Sequence, residues 1–204
     1  MATLASVPNG THLSSSSPRD FFAYEPFESP KKGWLLFDGR YPTGIDSKHI
    51  EVLGEALAKG LSYEAGTDIR ALVGKMGGAL VVAPIQAETS SLDGALLVRP
   101  GSNEFKIILS AASSSRRDQM SVAQALGHYF LHHRYFEVEN QPRQRVSKSL
   151  VDREALTFAL SFLMPSHEFD RALKIYGDDI EAVAASFGVP TEAVELRREL
   201  LQSR

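Results

Sequence analysis

The sequence predicts an α+β fold, in which a small antiparallel or mixed three-stranded sheet packs on a helical core. Two observations predict it. Three short β-rich segments lie close together between residues 79 and 109, and apolar residues at helical spacing occupy most of the chain after residue 114. The sheet and the helices together define the fold class.

Length and composition narrow the protein class. The 204 residues suit one domain plus tails, and a hydrophobic fraction of 43% is enough for a proper core. No run of 18 apolar residues or secretory signal pattern is found, so we expect neither a membrane span nor export. The absence of cysteine fits a reducing compartment, and we expect a cytoplasmic protein. A net charge of -3 does not favour nucleic acid as a general partner.

The first 45 residues differ from the rest of the chain. Residues 11–18 are polar and rich in helix- and strand-breaking residues, which predicts a partly disordered arm. Aromatic residues between prolines, among them Trp34 and Phe37, predict that the arm docks on its own core; docking on a partner is the alternative. We therefore divide the chain into an arm at 1–45 and a domain at 46–204.

The predicted elements follow in order along the domain. Apolar spacing predicts a helix over 47–59 that stops at Gly60, and a second helix that Thr67 caps and that ends at Gly77. Strands are predicted at 79–84, 91–99 and 104–109, and the tight turn at 100–103 favours an antiparallel sheet or meander.

The remainder of the chain is predicted to be helical. One helix spans 115–133, a polar loop covers 137–148, and a second helix spans 149–164 before Pro165 ends it. Shorter helices follow through Phe187 and over 191–201.

The segment with the clearest chemical signal is Gln124-Ala125-Leu126-Gly127-His128, which apolar residues and His132 follow. It resembles the zinc-binding helix of the ImmA/IrrE-type metallopeptidases, which reads A-H-E-L-G-H and continues with apolar residues and a His. Ala123, Leu126, Gly127 and His128 match this pattern. Gln124 stands in the place of the first His, and Ala125 in the place of the Glu.

A second segment, residues 152–165, is similar to the family's E-A-x-x-F-A-x-x-L-L-M-P helix, with Glu154 in the place of the third zinc ligand. Similarity in the strands and in the last two helices extends the resemblance over roughly residues 50–200. It implies a zincin-like core and a zinc peptidase that cleaves helix-turn-helix repressors and so derepresses transcription.

The spacing explains why this chemistry needs these residues. Residues four apart share a helix face, so two His at positions 124 and 128 would chelate one zinc, with a Glu at 125 as general base. The third ligand must come from another helix, where Glu154 lies. Zinc would lower the pKa of its bound water to about 7 and so generate a nucleophile.

This sequence departs from that pattern at two positions. Gln124 offers a neutral amide oxygen, a poor substitute for imidazole, and Ala125 offers no proton acceptor. Loss of a general base costs about 10²–10⁴-fold in rate. We therefore expect little or no peptidase activity, with zinc binding weak or absent.

Two alternatives for the histidines remain open. His128, His132 and Glu154 could form a shifted metal site, although His132 is displaced by a full turn, about 5.4 Å, and Tyr129 supplies no base. Without metal, His128 would hydrogen-bond Glu154 or a backbone carbonyl. His132 and His133, near a helix C-terminus, are expected to be surface residues.

Three hypotheses about function follow. The first is an inactive, protease-like regulator that binds a protein partner such as a helix-turn-helix repressor. The second is a zinc metalloendopeptidase with altered or unusual active-site residues. The third is DNA binding through residues 180–196, which have helix-turn-helix rhythm. The acidic residues Glu192, Glu195 and Glu199 count against the third, because phosphate contacts dominate affinity for DNA.

Overall fold

The computed structural model describes residues 25–26, 33–37, 42–83, 94–134 and 148–203. One mixed sheet lies against a group of helices, so the predicted α+β class is confirmed. In the order of the chain the strands are β1 (Glu25–Pro26), β2 (Leu35–Leu36), β3 (Gly78–Ala83), β4 (Leu96–Val98) and β5 (Phe105–Ser110). Across the sheet their order is β1-β3-β5-β4-β2.

The three predicted strands are present, but they do not form a meander. β5 lies in the middle, parallel to β3 with Gly78 opposite Phe105 and antiparallel to β4 with Leu96 opposite Ile107. The central strand contains the buried run Ile107-Ile108-Leu109, and apolar cover on both faces favours the centre of a sheet. The two additional strands, β1 and β2, come from the N-terminal arm and occupy the two edges.

Seven α-helices account for most of the rest of the described chain. They are α1 (Ser47–Gly60), α2 (Arg70–Val73), α3 (Ser115–Gly127), α4 (Lys148–Leu163), α5 (Ser166–Tyr176), α6 (Ile180–Phe187) and α7 (Thr191–Gln202). Asp46 and Ser114 cap α1 and α3 by accepting hydrogen bonds from the third backbone N–H beyond them. Among the described residues, no helix has the length and apolar composition that a bilayer crossing requires.

The prediction that Thr67 caps the second helix is wrong. The Thr67 hydroxyl donates to the Glu64 carbonyl oxygen at 2.7 Å, which closes a turn before the helix. α2 begins three residues later, at Arg70, whose N–H is accepted by the Asp68 carboxylate at 2.9 Å. A single 3₁₀ turn follows, and Gly77 ends it with a left-handed φ of 83°, as the sequence predicted.

α4 is the centre of the helical layer, with α1 and α3 packed closely against it. A Cβ atom on Gly54 of α1 would lie 2.9 Å from the Phe158 carbonyl oxygen, and one on Gly127 of α3 only 2.8 Å from that of Ala155. Both glycines therefore allow helix backbones to approach closely. The result is a fixed platform that holds the end of α3 against the N-terminal half of α4.

Two predicted features lie outside the described residues. One is the breaker-rich stretch at 11–18. The other is the polar loop at 137–148, of which only Lys148, the first residue of α4, is described.

Candidate functional site

The candidate site begins where α3 gives way to a π-helical turn, His128–Arg134. The sequence predicted one regular helix through residue 133. Such π turns are rare, and they occur frequently at functional sites. Here the turn places His128 and His132 side by side, with their Nδ1 atoms 3.2 Å apart.

Glu154 faces this turn from α4. Its Oε2 atom lies 2.8 Å from His132 Nε2 and accepts a second hydrogen bond, of 2.9 Å, from the backbone N–H of Thr43 in the N-terminal arm. Burial acts to raise the pKa of Glu154, but the hydrogen bonds with His132 and Thr43 outweigh it. The pKa of this carboxyl therefore lies below its ordinary value, and the group is charged at neutral pH.

His128 has different neighbours. Its Nε2 atom lies 3.6 Å from an oxygen of Asp152, a residue that is partly exposed to solvent. The ring of Phe37, from the arm, lies over both histidines, with centroid distances of 5.6 Å to His128 and 6.3 Å to His132. An aromatic side chain of the arm thus covers the histidine pair.

The expectation that His132 is a surface residue is wrong. Its side chain is fully buried, whereas that of His128 retains 14% of its exposure. The hydrogen bond to Glu154 offsets the cost of burying the imidazole, and the wider π turn directs the ring inward. The spacing of four residues from His128 was visible in the sequence, but the direction of the ring was not.

The two altered motif positions lie in the last turn of α3. Ala125 is only 1% exposed and belongs to the apolar core, while Gln124 is half-buried one turn before His128. The methyl group of Ala125 packs in the apolar core. Position 125 thus contributes packing and no proton acceptor.

The side chains present do not fit a three-ligand zinc site. His132 directs Nδ1 toward His128 and Nε2 toward Glu154, so these groups bond to one another rather than converge on one centre. Within the described ranges, no group of three His, Cys, Asp or Glu residues is placed to hold a metal ion. A zinc site needs at least three protein ligands directed at one point.

A mostly apolar cavity of about 610 Å³ borders Glu154 on the side of α1 and α7. Ile45, Ile50, Leu160 and Leu200 contribute to its lining. Glu154 therefore contacts His132 and also contributes to the lining of a separate, mostly apolar cavity.

Comparison with known proteins identifies the family of this chain. The family model described as the IrrE N-terminal-like domain, a peptidase family, matches residues 80–199, more than half of the chain. The chain belongs to this family. The part that matches the IrrE N-terminal-like domain contains α3, the π turn and α4, and the arm residues Phe37 and Thr43 precede it.

A solved structure supports the fold assignment. A Mycobacterium tuberculosis transcriptional regulator is similar, with a TM-score of 0.52 and 17% sequence identity over 74% of this chain and 46% of that chain. This member of the IrrE N-terminal-like family thus spans about half the length of that regulator. Curated proteins gave no significant match.

Proposed function

We propose that this protein is a protease-like regulator that binds a protein partner, such as a helix-turn-helix repressor, and does not cleave it. The observation that carries the proposal is Ala125, which is buried in the apolar core at the motif position of the general base. The peptidase family supplies the fold, and this residue removes the proton transfer on which hydrolysis by that fold depends.

The metal chemistry supports the same conclusion. Gln124 offers an amide oxygen in place of imidazole, and His132 and Glu154 bond to each other. A metal ion would have to break that hydrogen bond before it could use either group. We therefore propose that zinc binding is weak or absent, and that the protein acts in the cytoplasm by association alone.

A regulatory role is supported by the fold neighbour, which is described as a transcriptional regulator. Direct DNA binding has less support. Arg197 of α7 is fully buried and bonded to Glu51 and Glu55, so it is not available to phosphate. The exposed side chains of Glu192, Glu195 and Glu199 on the same helix would repel DNA.

The second candidate function is a zinc peptidase that uses a shifted ligand set. One observation favours it: His128, His132 and Glu154 are neighbours, as such a set requires. Rotation of the two rings would be needed to direct one nitrogen of each toward a common point.

Zinc and cleavage measurements separate these functions. The purified chain is dialysed against zinc, its metal content is measured, and it is then incubated with casein as a general unfolded substrate. We expect sub-stoichiometric zinc and no cleavage. The Gln124→His/Ala125→Glu variant is the matched comparison, and we expect it to retain stoichiometric zinc.

A His132→Ala variant tests the shifted site. If the unaltered chain binds zinc tightly and cleaves casein in a zinc-dependent way, and the His132→Ala variant loses both properties, the protein is a peptidase and the proposal is wrong.

A further inference from the structure

Residues 34–37 of the N-terminal arm lie along one edge of the sheet, next to the candidate site. Leu35 and Leu36 of β2 pair antiparallel with Val98 and Leu97 of β4, and the Phe37 N–H donates to the Leu96 carbonyl oxygen at 2.8 Å. Without the arm, this edge of β4 would present unpaired backbone groups, a ready template for an extended peptide. The arm therefore occupies a position that a peptide would take by strand addition.

The same segment covers the histidine pair. Phe37 lies on the helix side of the sheet with its ring over His128 and His132, and Thr43 further along donates to Glu154. On the opposite face of the sheet, Trp34 packs beside Leu97 and lies under the ammonium of Lys106. Residues 34–37 and Thr43 thus contact the sheet edge, both faces beside it and the polar groups of the site.

The pairing between β2 and β4 is nevertheless short. Only two residues of β2 pair with β4, and their side chains are more than half exposed, at 56% for Leu35 and 51% for Leu36. Little apolar area is therefore buried by the strand itself. A short edge strand of this kind opens at low free-energy cost compared with the buried core strands.

We propose that the outer edge of β4 and the rings of His128 and His132 form a peptide-binding groove, and that residues 34–37 of this chain are its resting occupant. An extended segment of a protein partner, with an aromatic residue in the place of Phe37, displaces the arm. This inference rests on the proposed function, because it identifies where the protein partner of the regulator binds.

Peptide binding to the full-length chain tests the groove. The probe is a fluorescently labelled peptide with the sequence of residues 33–45, and its binding is followed by anisotropy. The unaltered chain is expected to bind weakly, because its own arm competes at a high effective concentration. The same peptide with Ala in place of Phe37 is expected to lose binding.

Two proline variants form a matched pair. In an antiparallel pair, alternate residues direct their N–H toward the partner strand. Because Phe37 donates to Leu96, Leu35 also faces β4, whereas the N–H of Leu36 faces away. Leu35→Pro therefore removes a hydrogen bond of the pair, and Leu36→Pro does not.

We expect the Leu35→Pro chain to bind the peptide at least about ten-fold more tightly than the Leu36→Pro chain, because the groove is open for a larger fraction of the time.

Amide hydrogen exchange of the Leu35→Pro chain gives a second measurement. The N–H groups of Leu96 and Val98 should exchange faster in Leu35→Pro, that of Leu97 should not, and saturating peptide should restore protection. If Leu35→Pro unfolds the chain, Phe37→Ala opens the groove without a backbone change and should also tighten peptide binding.

Equal affinity for all the chains, or no binding to any of them, would overturn the groove proposal while leaving the zinc and cleavage results in place. Conversely, tight peptide binding to Leu35→Pro together with zinc-dependent cleavage of casein would uphold the groove and overturn the proposed function.

Discussion

Two polar clusters include residues of α4, and they differ in the elements from which their partners come. The first is centred on Arg197, whose guanidinium donates to Glu51 at 2.8 Å, to Glu55 at 2.9 Å, to the Ser161 hydroxyl at 3.0 Å and to the Met164 carbonyl oxygen at 2.9 Å. The second is the chain of contacts from His128 through His132 to Glu154.

The two clusters have partners from different parts of the fold. Arg197 is always charged, and its acceptors come from α1 and from the C-terminal end of α4, so the cluster joins α7 to the fixed core. The histidine cluster draws its contacts from a π turn, from α4 and from the arm, whose strand β2 has two residues. The first cluster stabilises the fold, whereas the second lies at a surface that the arm can uncover.

The largest expected effect is that of Arg197→Ala. This change leaves Glu51 buried without its cation, and loss of one partner of a buried pair costs about 3–5 kcal/mol. Urea unfolding measures the change in the free energy of unfolding. The control is Arg198→Ala, which removes the same charge at a less buried neighbouring position and should cost less than about 1 kcal/mol. Equal losses for the two variants would contradict a structural role for Arg197.

Gly127→Ala tests the platform that holds the second cluster. The added methyl would lie 2.8 Å from the Ala155 carbonyl oxygen, so α3 must move away from α4 at a cost of about 1–3 kcal/mol. Gly74→Ala is the control, because no atom lies within 4 Å of its added Cβ and its φ of -62° suits alanine. Thermal unfolding should show a lower midpoint for the first variant only.

Glu154→Gln should have a smaller effect on stability. The amide oxygen can still accept from Thr43, so about 1 kcal/mol is expected from the weakened contact with His132. Asp152→Asn is the matched control, because its contact with His128 is long and partly exposed and should contribute little. Urea unfolding of the two variants measures the difference. A loss as large as that of Arg197→Ala would show that the two clusters have the same role.

The last expected effect is absent at neutral pH and is confined to alkaline pH. Burial raises the pKa of Tyr63 to about 12, although the hydrogen bond from Gln119 partly opposes this. The unfolded chain releases the Tyr63 proton near its ordinary value of about 10, so stability is lost as pH rises from about 10 to 12. Tyr63→Phe should flatten this part of the profile of unfolding free energy against pH. An unchanged profile would mean that the hydroxyl titrates normally in the folded protein.

The local spacing of apolar residues was enough to predict the two helices, α3 and α4, that lead into or carry residues of the clusters. The apolar positions of α3 and α4 repeat at helical spacing, and Pro165 ends α4 within a residue of its predicted end. The sequence also placed Glu154 on a helix opposite His128, and the structure brings these helices together. What it did not predict is that the Glu154 carboxylate bonds to His132, because the π turn changes the direction of the rings without changing the residue pattern.

Pairing between strands that are distant in the chain was the second feature that the sequence could not predict. β1 and β2 have two residues each, too few for any alternation of apolar and polar residues to be visible. The central position of β5 depends on which strands meet in space, and the tight turn after β4 indicated only that β4 and β5 are neighbours. The aromatic residues Trp34 and Phe37 did predict that the arm docks, but not that it would join the sheet.

The sheet order has a consequence for how the chain folds. β1 and β2 both come from the arm, and they cover opposite edges of the same sheet. An intermediate in which β3, β4 and β5 have assembled before the arm docks would expose two bare edges at once, each able to pair with another molecule. Docking of β1 and β2 therefore also covers two strand edges that could otherwise pair with another molecule.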